Sequence, residues 1–185
     1  ERVLGNPRIA GTLVSEDSRA AVIMLRFAPV ADILGAALKC LGRSGDLAGT
    51  RIVITAGGTR ESLDPVRFLG NRSSGKMGFA LAEAARDRGA EVTVVCGATS
   101  VPAPSGVSRM DVETTADMQR AVKDACQHAD ALIMVAAVAD YTPVVRAKQK
   151  LKKTGERLTI ELAPTTDILS SVDGPFVRVG FAAET

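Results

Sequence analysis

At 185 residues and 46% apolar content the chain can bury one sizeable core, so one domain with an appendage is expected. A net charge of +2 is too small to argue for a polyanion-binding surface from bulk charge, so any basic site must be local, and an aromatic content of 3% without Trp removes the stacking platforms of single-strand binders, so no nucleic-acid partner is expected. Cys40, Cys96 and Cys126 are odd in number and form no Cys-x-x-Cys pair, which argues against a disulfide framework or zinc site and for buried thiols in a reducing, cytoplasmic setting.

Residues 1–29 carry scattered turn formers, no period and no assigned fold or function. The stretch 20–38 is apolar, but Arg26, Pro29 and Asp32 keep it below a membrane span, and no secretory pattern opens the chain. A cytoplasmic piece of a longer protein, with no membrane partner, is the expectation. Val30, Ile33, Leu34, Ala37, Leu38 and Leu41 recur at helical spacing ahead of Gly42 and Gly45, which predicts an amphipathic helix over 30–43. The expected division is 1–46, an N-terminal segment with this helix, and 47–185, the main domain.

A β-branched run at 51–55 leads into Ala56-Gly57-Gly58-Thr59, a buried strand feeding a glycine turn. An irregular stretch over 60–71 follows. Ser73-Ser74-Gly75 then opens a helix with Met77, Ala80, Leu81, Ala84 and Ala85 as its apolar stripe and Gly89 as its stop. A second strand spans 91–96 and a loop 102–106. Thr114 with Asp117 resembles a capped helix start, with Met118, Val122 and Ala125 as the buried stripe to Cys126. A third strand, 132–138, ends towards Asp140. Strands alternating with helices of about a dozen residues predict an α/β fold, Rossmann-like and doubly wound, with a mainly parallel sheet and helices on both faces. Beyond Tyr141 come a lysine-rich loop and strands over 158–162 and 177–181.

In such a sheet the ligand lies at the carboxyl ends of the strands, so 56–60, 97–100, 136–141 and 180–184 frame the candidate site. Gly70-Asn71-Arg72-Ser73-Ser74-Gly75-Lys76 precedes a helix and offers hydroxyls, free N–H groups and a helix dipole to an anion; the plainer alternative is that Ser73 and Ser74 only cap the helix. The string nearly matches a P-loop, yet Met77 stands where Mg²⁺ needs Ser or Thr, and no strand runs into Gly70. Neither Gly-x-Gly-x-x-Gly after the first strand nor an acidic residue after the second is present, which weakens a nicotinamide oxidoreductase. Asp140 suits a ribose hydroxyl or Mg²⁺, or simply a turn. Lys148, Lys150, Lys152 and Lys153 form either a loop closing over a triphosphate or a solvated face. His128 has no partner for zinc or nucleophilic chemistry and reads as structural.

Taken together, AGGTRESLDPVRFLGNRSSGKMG, VAAVADY, KQKLKK and VGFAAET resemble the phosphopantothenoylcysteine synthetase family across about residues 47–185. The resemblance implies a ligase of coenzyme A synthesis: 4′-phosphopantothenate is activated by CTP with Mg²⁺ as an acyl-cytidylate, and L-cysteine displaces CMP. It implies Asn71 and Lys150 as catalytic residues. Met134, Val135, Ala136, Asp140, Lys150, Gly180, Phe181, Ala182 and Ala183 would line the CTP pocket. Gly58, Asn71, Ser73, Ser74 and Gly75 would hold the phosphate or acyl-cytidylate, and Asp140 is the candidate metal ligand. A homodimer is implied, and a flavin-dependent decarboxylase domain, carrying FMN, normally precedes this half. Against the family's full pattern the chain stops at Thr185, ahead of further CTP-contacting lysines, so 47–185 reads as C-terminally incomplete. A Rossmann-type oxidoreductase and a non-catalytic nucleotide-binding module are the alternative readings.

Overall fold

The computed structural model describes residues 12–14, 21–23, 45–153, 155 and 157–181. The helix expected over 30–43 and the thiol of Cys40 lie outside these residues. Within the segment that showed no period, Thr12–Val14 (β1) pairs antiparallel with Ala21–Ile23 (β2).

The run Arg51–Ala56 (β3) is a strand because its β-branched residues suit a pleat covered on both faces. It pairs in parallel with Glu91–Cys96 (β6) on one side and Ala131–Met134 (β8) on the other. Ser108–Asp111 (β7) and Val177–Gly180 (β11) complete a five-stranded parallel sheet of order β11-β8-β3-β6-β7. The fold is therefore α/β and Rossmann-like, as expected.

Side-chain alternation sorts β3 between two cores. Ile52, Ile54 and Ala56 pack with Val92 and Val94 against helix Lys76–Asp87 (α1), whereas Val53 joins Val95 and Leu132 against helix Thr115–Ala125 (α2). Ile54, Val94, Leu132, Met118 and Val122 are fully buried. Each such side chain contributes roughly 1.5–3 kcal/mol of transfer free energy. Cys96 and Cys126 are buried thiols, as expected, and burial pushes Cys126 up to about 11.

Helix α1 ends in a Schellman motif: the Gly89 N–H donates to the Arg86 carbonyl and the Ala90 N–H to that of Ala85, with Gly89 at φ +92°. Its buried face is Gly78, Phe79, Ala82 and Ala85; of the predicted stripe Met77, Ala80, Leu81, Ala84 and Ala85, only Ala85 is buried and Leu81 partly so, while Met77 is half exposed. Small residues surround this helix on all sides, so hydrophobic period left its phase open, and the close approach at Gly78 decided it. Helix α2 follows its predicted pattern, with Met118 and Val122 buried and Ala125 partly so.

The strand Ser108–Asp111 was not expected, and two further stretches differ from expectation here. Residues 60–70 form a hairpin, Arg60–Ser62 (β4) with Phe68–Gly70 (β5), clasped by the Arg60 guanidinium 4.5 Å above the Phe68 ring. The strand expected over 158–162 lies instead at Leu162–Pro164 (β10), paired with Tyr141–Pro143 (β9).

Candidate active site

From β3 the chain adds β6 and β7 on one side of the sheet, then crosses to place β8 and β11 on the other. The carboxyl ends of β3 and β8 therefore bound the crevice where open α/β sheets take ligands.

Strand β8 is shorter than the predicted 132–138 because a neighbouring side chain ends it. The fully buried Thr55 hydroxyl accepts the N–H groups of Val135 (2.9 Å) and Ala136 (3.0 Å), which leaves the β8 ladder at Met134. The segment 135–140 then runs along the glycine turn. The Ala137 N–H donates to the Gly57 carbonyl at 2.8 Å and the Thr59 N–H to the Ala137 carbonyl at 3.3 Å.

A buried polar chain fixes the end of this segment. The Ala139 N–H donates to Thr59 Oγ1 (2.8 Å), and Thr59 contacts Thr115 Oγ1 at 3.2 Å. Thr115 has one hydroxyl hydrogen, and Glu61 Oε1 takes it at 2.9 Å while also accepting the Thr115 N–H at 2.8 Å. Thr59 is therefore the donor to Thr115, and the chain runs in one direction towards the carboxylate. Glu61 Oε2 accepts the Thr142 hydroxyl at 2.9 Å. On the far side the Thr165 hydroxyl donates to the Ala139 carbonyl (2.6 Å) and its N–H to that of Asp140 (2.8 Å).

Asn71 follows β5 directly and donates through Nδ2 to the Val138 carbonyl at 2.8 Å. A Cβ on Gly58 would lie 3.0 Å from the Asn71 carbonyl and 3.5 Å from Ser73 Cβ, so Gly58, Asn71 and Ser73 converge. The first turn of α1 stands beside them without a side-chain cap; its N-cap, Gly75, is left-handed at φ +78°. Ser73 and Ser74 hydroxyls reach the Gly75 and Lys76 N–H groups only at 3.4 Å. These contacts are long for hydrogen bonds, so Ser73 and Ser74 cap the helix start only weakly. A Cβ on Gly78 would meet Ala56 Cβ at 2.7 Å and the Thr55 carbonyl at 2.9 Å, so this glycine lets α1 sit hard against the end of β3.

The other predicted pocket residues divide. Gly180 pairs with Met134, and the Phe181 N–H donates to the Met134 carbonyl at 3.2 Å, so the two expected walls adjoin; Ala182 and Ala183 lie outside the described residues. The Met134 side chain is buried in the α2-side core, and its carbonyl is taken by the Phe181 N–H. Asp140 and Lys150 are exposed. No group of three or more His, Cys, Asp or Glu side chains that could hold a metal occurs among the described residues. Asp140 thus fits Mg²⁺ only as a single protein ligand, which suits an ion held mainly by triphosphate oxygens and water. His128 is exposed and sits by Arg51 and Glu91 at the amino ends of the strands, away from the crevice.

Thr55, Glu61, Thr115 and Thr165 were not expected in the site, and Thr59 only as part of the framing segment 56–60. The available signal was polar residues at the end of, or just beyond, very apolar strands. Asp64 was also missed. It is 2% exposed and its Oδ1 accepts the N–H groups of Val66 and Arg67, each at 2.8 Å. Its Oδ2 accepts Arg67 Nε at 2.9 Å, Arg67 Nη2 at 2.7 Å and the Leu151 N–H at 3.1 Å. Burial pushes its carboxyl up, but the bonds from Val66, Leu151 and Arg67 outweigh that and hold it far below the usual carboxylate range.

A Rossmann-like α/β protein with a glycine turn and a helix start at its switch point is the class that fold and site define. The chain belongs to the family of the DNA/pantothenate metabolism flavoprotein C-terminal domain, whose model matches residues 47–185. It is 52% identical over 147 residues to the coenzyme A biosynthesis bifunctional protein CoaBC of Vibrio cholerae serotype O1, covering 75% of this chain and 36% of that protein. Identity to the CoaBC of Escherichia coli strain K12 is 49% over 148 residues, covering 76% and 36%. This chain thus spans about a third of the length of the curated relatives it matches. The crystal structure of the C-terminal domain of a CoaBC superposes with a TM-score of 0.65 at 45% identity, over 75% of this chain and 66% of that one. No helix among the described residues is long and apolar enough to cross a membrane.

Proposed function

We propose that the chain is the CTP-using part of a phosphopantothenate–cysteine ligase. A carboxylate oxygen of 4′-phosphopantothenate attacks the α-phosphorus of CTP and pyrophosphate leaves. The amine of L-cysteine then attacks the acyl carbon of the cytidylate; the C–O bond to CMP breaks, an amide forms and the amine loses a proton. No nucleophilic side chain is needed, which agrees with a crevice built from backbone, hydroxyls and one amide. The Asn71 bond to Val138 carries the reading, because it draws together the uncapped start of α1 and the segment 134–140, the two halves that one acyl-cytidylate must bridge.

In this scheme the α1 N–H groups with Ser73, Ser74, Gly75 and Gly58 receive the phosphate or acyl-cytidylate. Backbone at 134–136 and at Gly180–Phe181 reads the base, Asp140 takes ribose or Mg²⁺, and Lys150 balances charge on the triphosphate. The intact protein is a cytoplasmic homodimer whose FMN belongs to a separate decarboxylase domain, and residues 47–185 form the CTP-binding unit. The test is CTP with Mg²⁺, which should raise the melting temperature more than ATP or NADPH does. With phosphopantothenate and cysteine the intact protein should release CMP and pyrophosphate. Asn71→Asp should accumulate the cytidylate, and Lys150→Gln should slow its formation. Stabilisation by NADPH and none by CTP would sink the proposal.

A further inference from the structure

Asp64, Pro65, Val66 and Arg67 form the tip of the β4–β5 hairpin, and this tip grips a second segment at both of its ends. The Ala147 N–H donates to the Leu63 carbonyl at 2.9 Å, the Leu151 N–H donates to Asp64, and Arg67 donates through Nη2 to the Leu151 carbonyl. Lys148 and Lys150 lie between these fastenings, on the exposed side of a stretch without regular structure. The base of the same hairpin runs from Gly70 into Asn71. One rigid β-unit thus holds the two residues assigned above to the two chemical steps.

We infer that Asp64 is a positioning residue: its buried carboxylate, with Arg67, holds the lysine segment 147–151 in place so that Lys150 meets the triphosphate of the nucleotide. This rests on the ligase reading for the role of Lys150, but the latch stands on the hydrogen bonds alone. Five donors converge on one carboxylate that is wholly shielded from solvent, and one of them comes from 87 residues downstream. A surface turn does not need such a set. Oδ2 serves the hairpin and the lysine segment at once, so changing this one atom should release the segment while sheet and crevice stay intact.

The experiment is Asp64→Asn in the intact protein, with Arg67→Lys as a second variant that keeps the charge but loses the fork. Limited trypsinolysis, localised by mass spectrometry, reads the latch without reference to activity. Cleavage after Lys148 and Lys150 should rise about tenfold or more, because the open population governs cutting. Single-turnover assays should show cytidylate formation slowed on the order of ten- to a hundredfold, with its conversion to the amide unchanged. Unchanged cleavage in both variants would overturn the latch. Faster cleavage with both steps unaltered, where Lys150→Gln does slow the first, would overturn the positioning role and leave the ligase reading standing. No effect of Lys150→Gln on cytidylate formation would overturn both.

Discussion

Helices α1 and α2 both begin at the carboxyl edge of the sheet, and their first turns are built in opposite ways. At α2 the Thr114 hydroxyl accepts the Asp117 N–H at 3.1 Å and Asp117 accepts the Thr114 N–H at 3.1 Å, while Glu61 takes the Thr115 N–H. The N–H groups of Thr114, Thr115 and Asp117 are thus satisfied by side chains of the protein. At α1 the cap is a left-handed glycine with no side-chain bond, beside Asn71 and Gly58. The more open of the two starts is the one proposed above to receive the phosphate or acyl-cytidylate.

The contrast can be broken from either side. The largest effect belongs to Glu61→Ala, which strands the Thr115 N–H and the Thr142 hydroxyl and leaves the Thr115 hydroxyl only its 3.4 Å contact to the Ala139 carbonyl. About 3 kcal/mol of stability should be lost in urea melts, with the segment at 139–140 loosened. Gly78→Val forces a side chain into Ala56 and the end of β3; a loss of about 2 kcal/mol is expected, together with weaker CTP binding by calorimetry. Thr114→Ala opens the α2 box and should lower stability by about 1 kcal/mol while leaving CTP affinity unchanged. Hydrogen bonds from Thr114 hold Asp117 below the usual carboxylate range. The box therefore contributes fully above the unfolded carboxylate pKa of about 4 and is lost as pH falls through the lower folded value, so wild type and Thr114→Ala should converge in acid. The smallest effect is that of Ser74→Ala at α1. Its 3.4 Å contact is no true cap, so stability should stay within about 0.5 kcal/mol while nucleotide or acyl-cytidylate affinity falls.

What was legible in the sequence follows the same division. The buried strands at 51–56 and 91–96 and the Thr114–Asp117 cap depend on near neighbours, and period and capping pattern found them. The end of β8 did not, because the hydroxyl that stops it is 80 residues away in Thr55. The hairpin at 60–70 was hidden because its strands are three residues each and it is pinned by Asp64, whose partners include Leu151. Asp-Pro was a turn signal, but nothing local told that its carboxylate is buried. The phase of α1 was lost among alanines. In the site, Asn71, Ser73, Ser74 and Gly75 stood out as a contiguous string, whereas the polar chain from Ala139 to Glu61 joins segments that meet only after folding.

Amide hydrogen exchange with CTP, Mg²⁺ and phosphopantothenate, in the absence of cysteine, tests the open helix start most directly. The Gly75 to Phe79 amides should slow on ligand binding while the Thr115 to Met118 amides keep their rates. Saturating ligand that leaves the α1 amides unchanged, or protects the α2 start instead, would contradict an open helix start at α1.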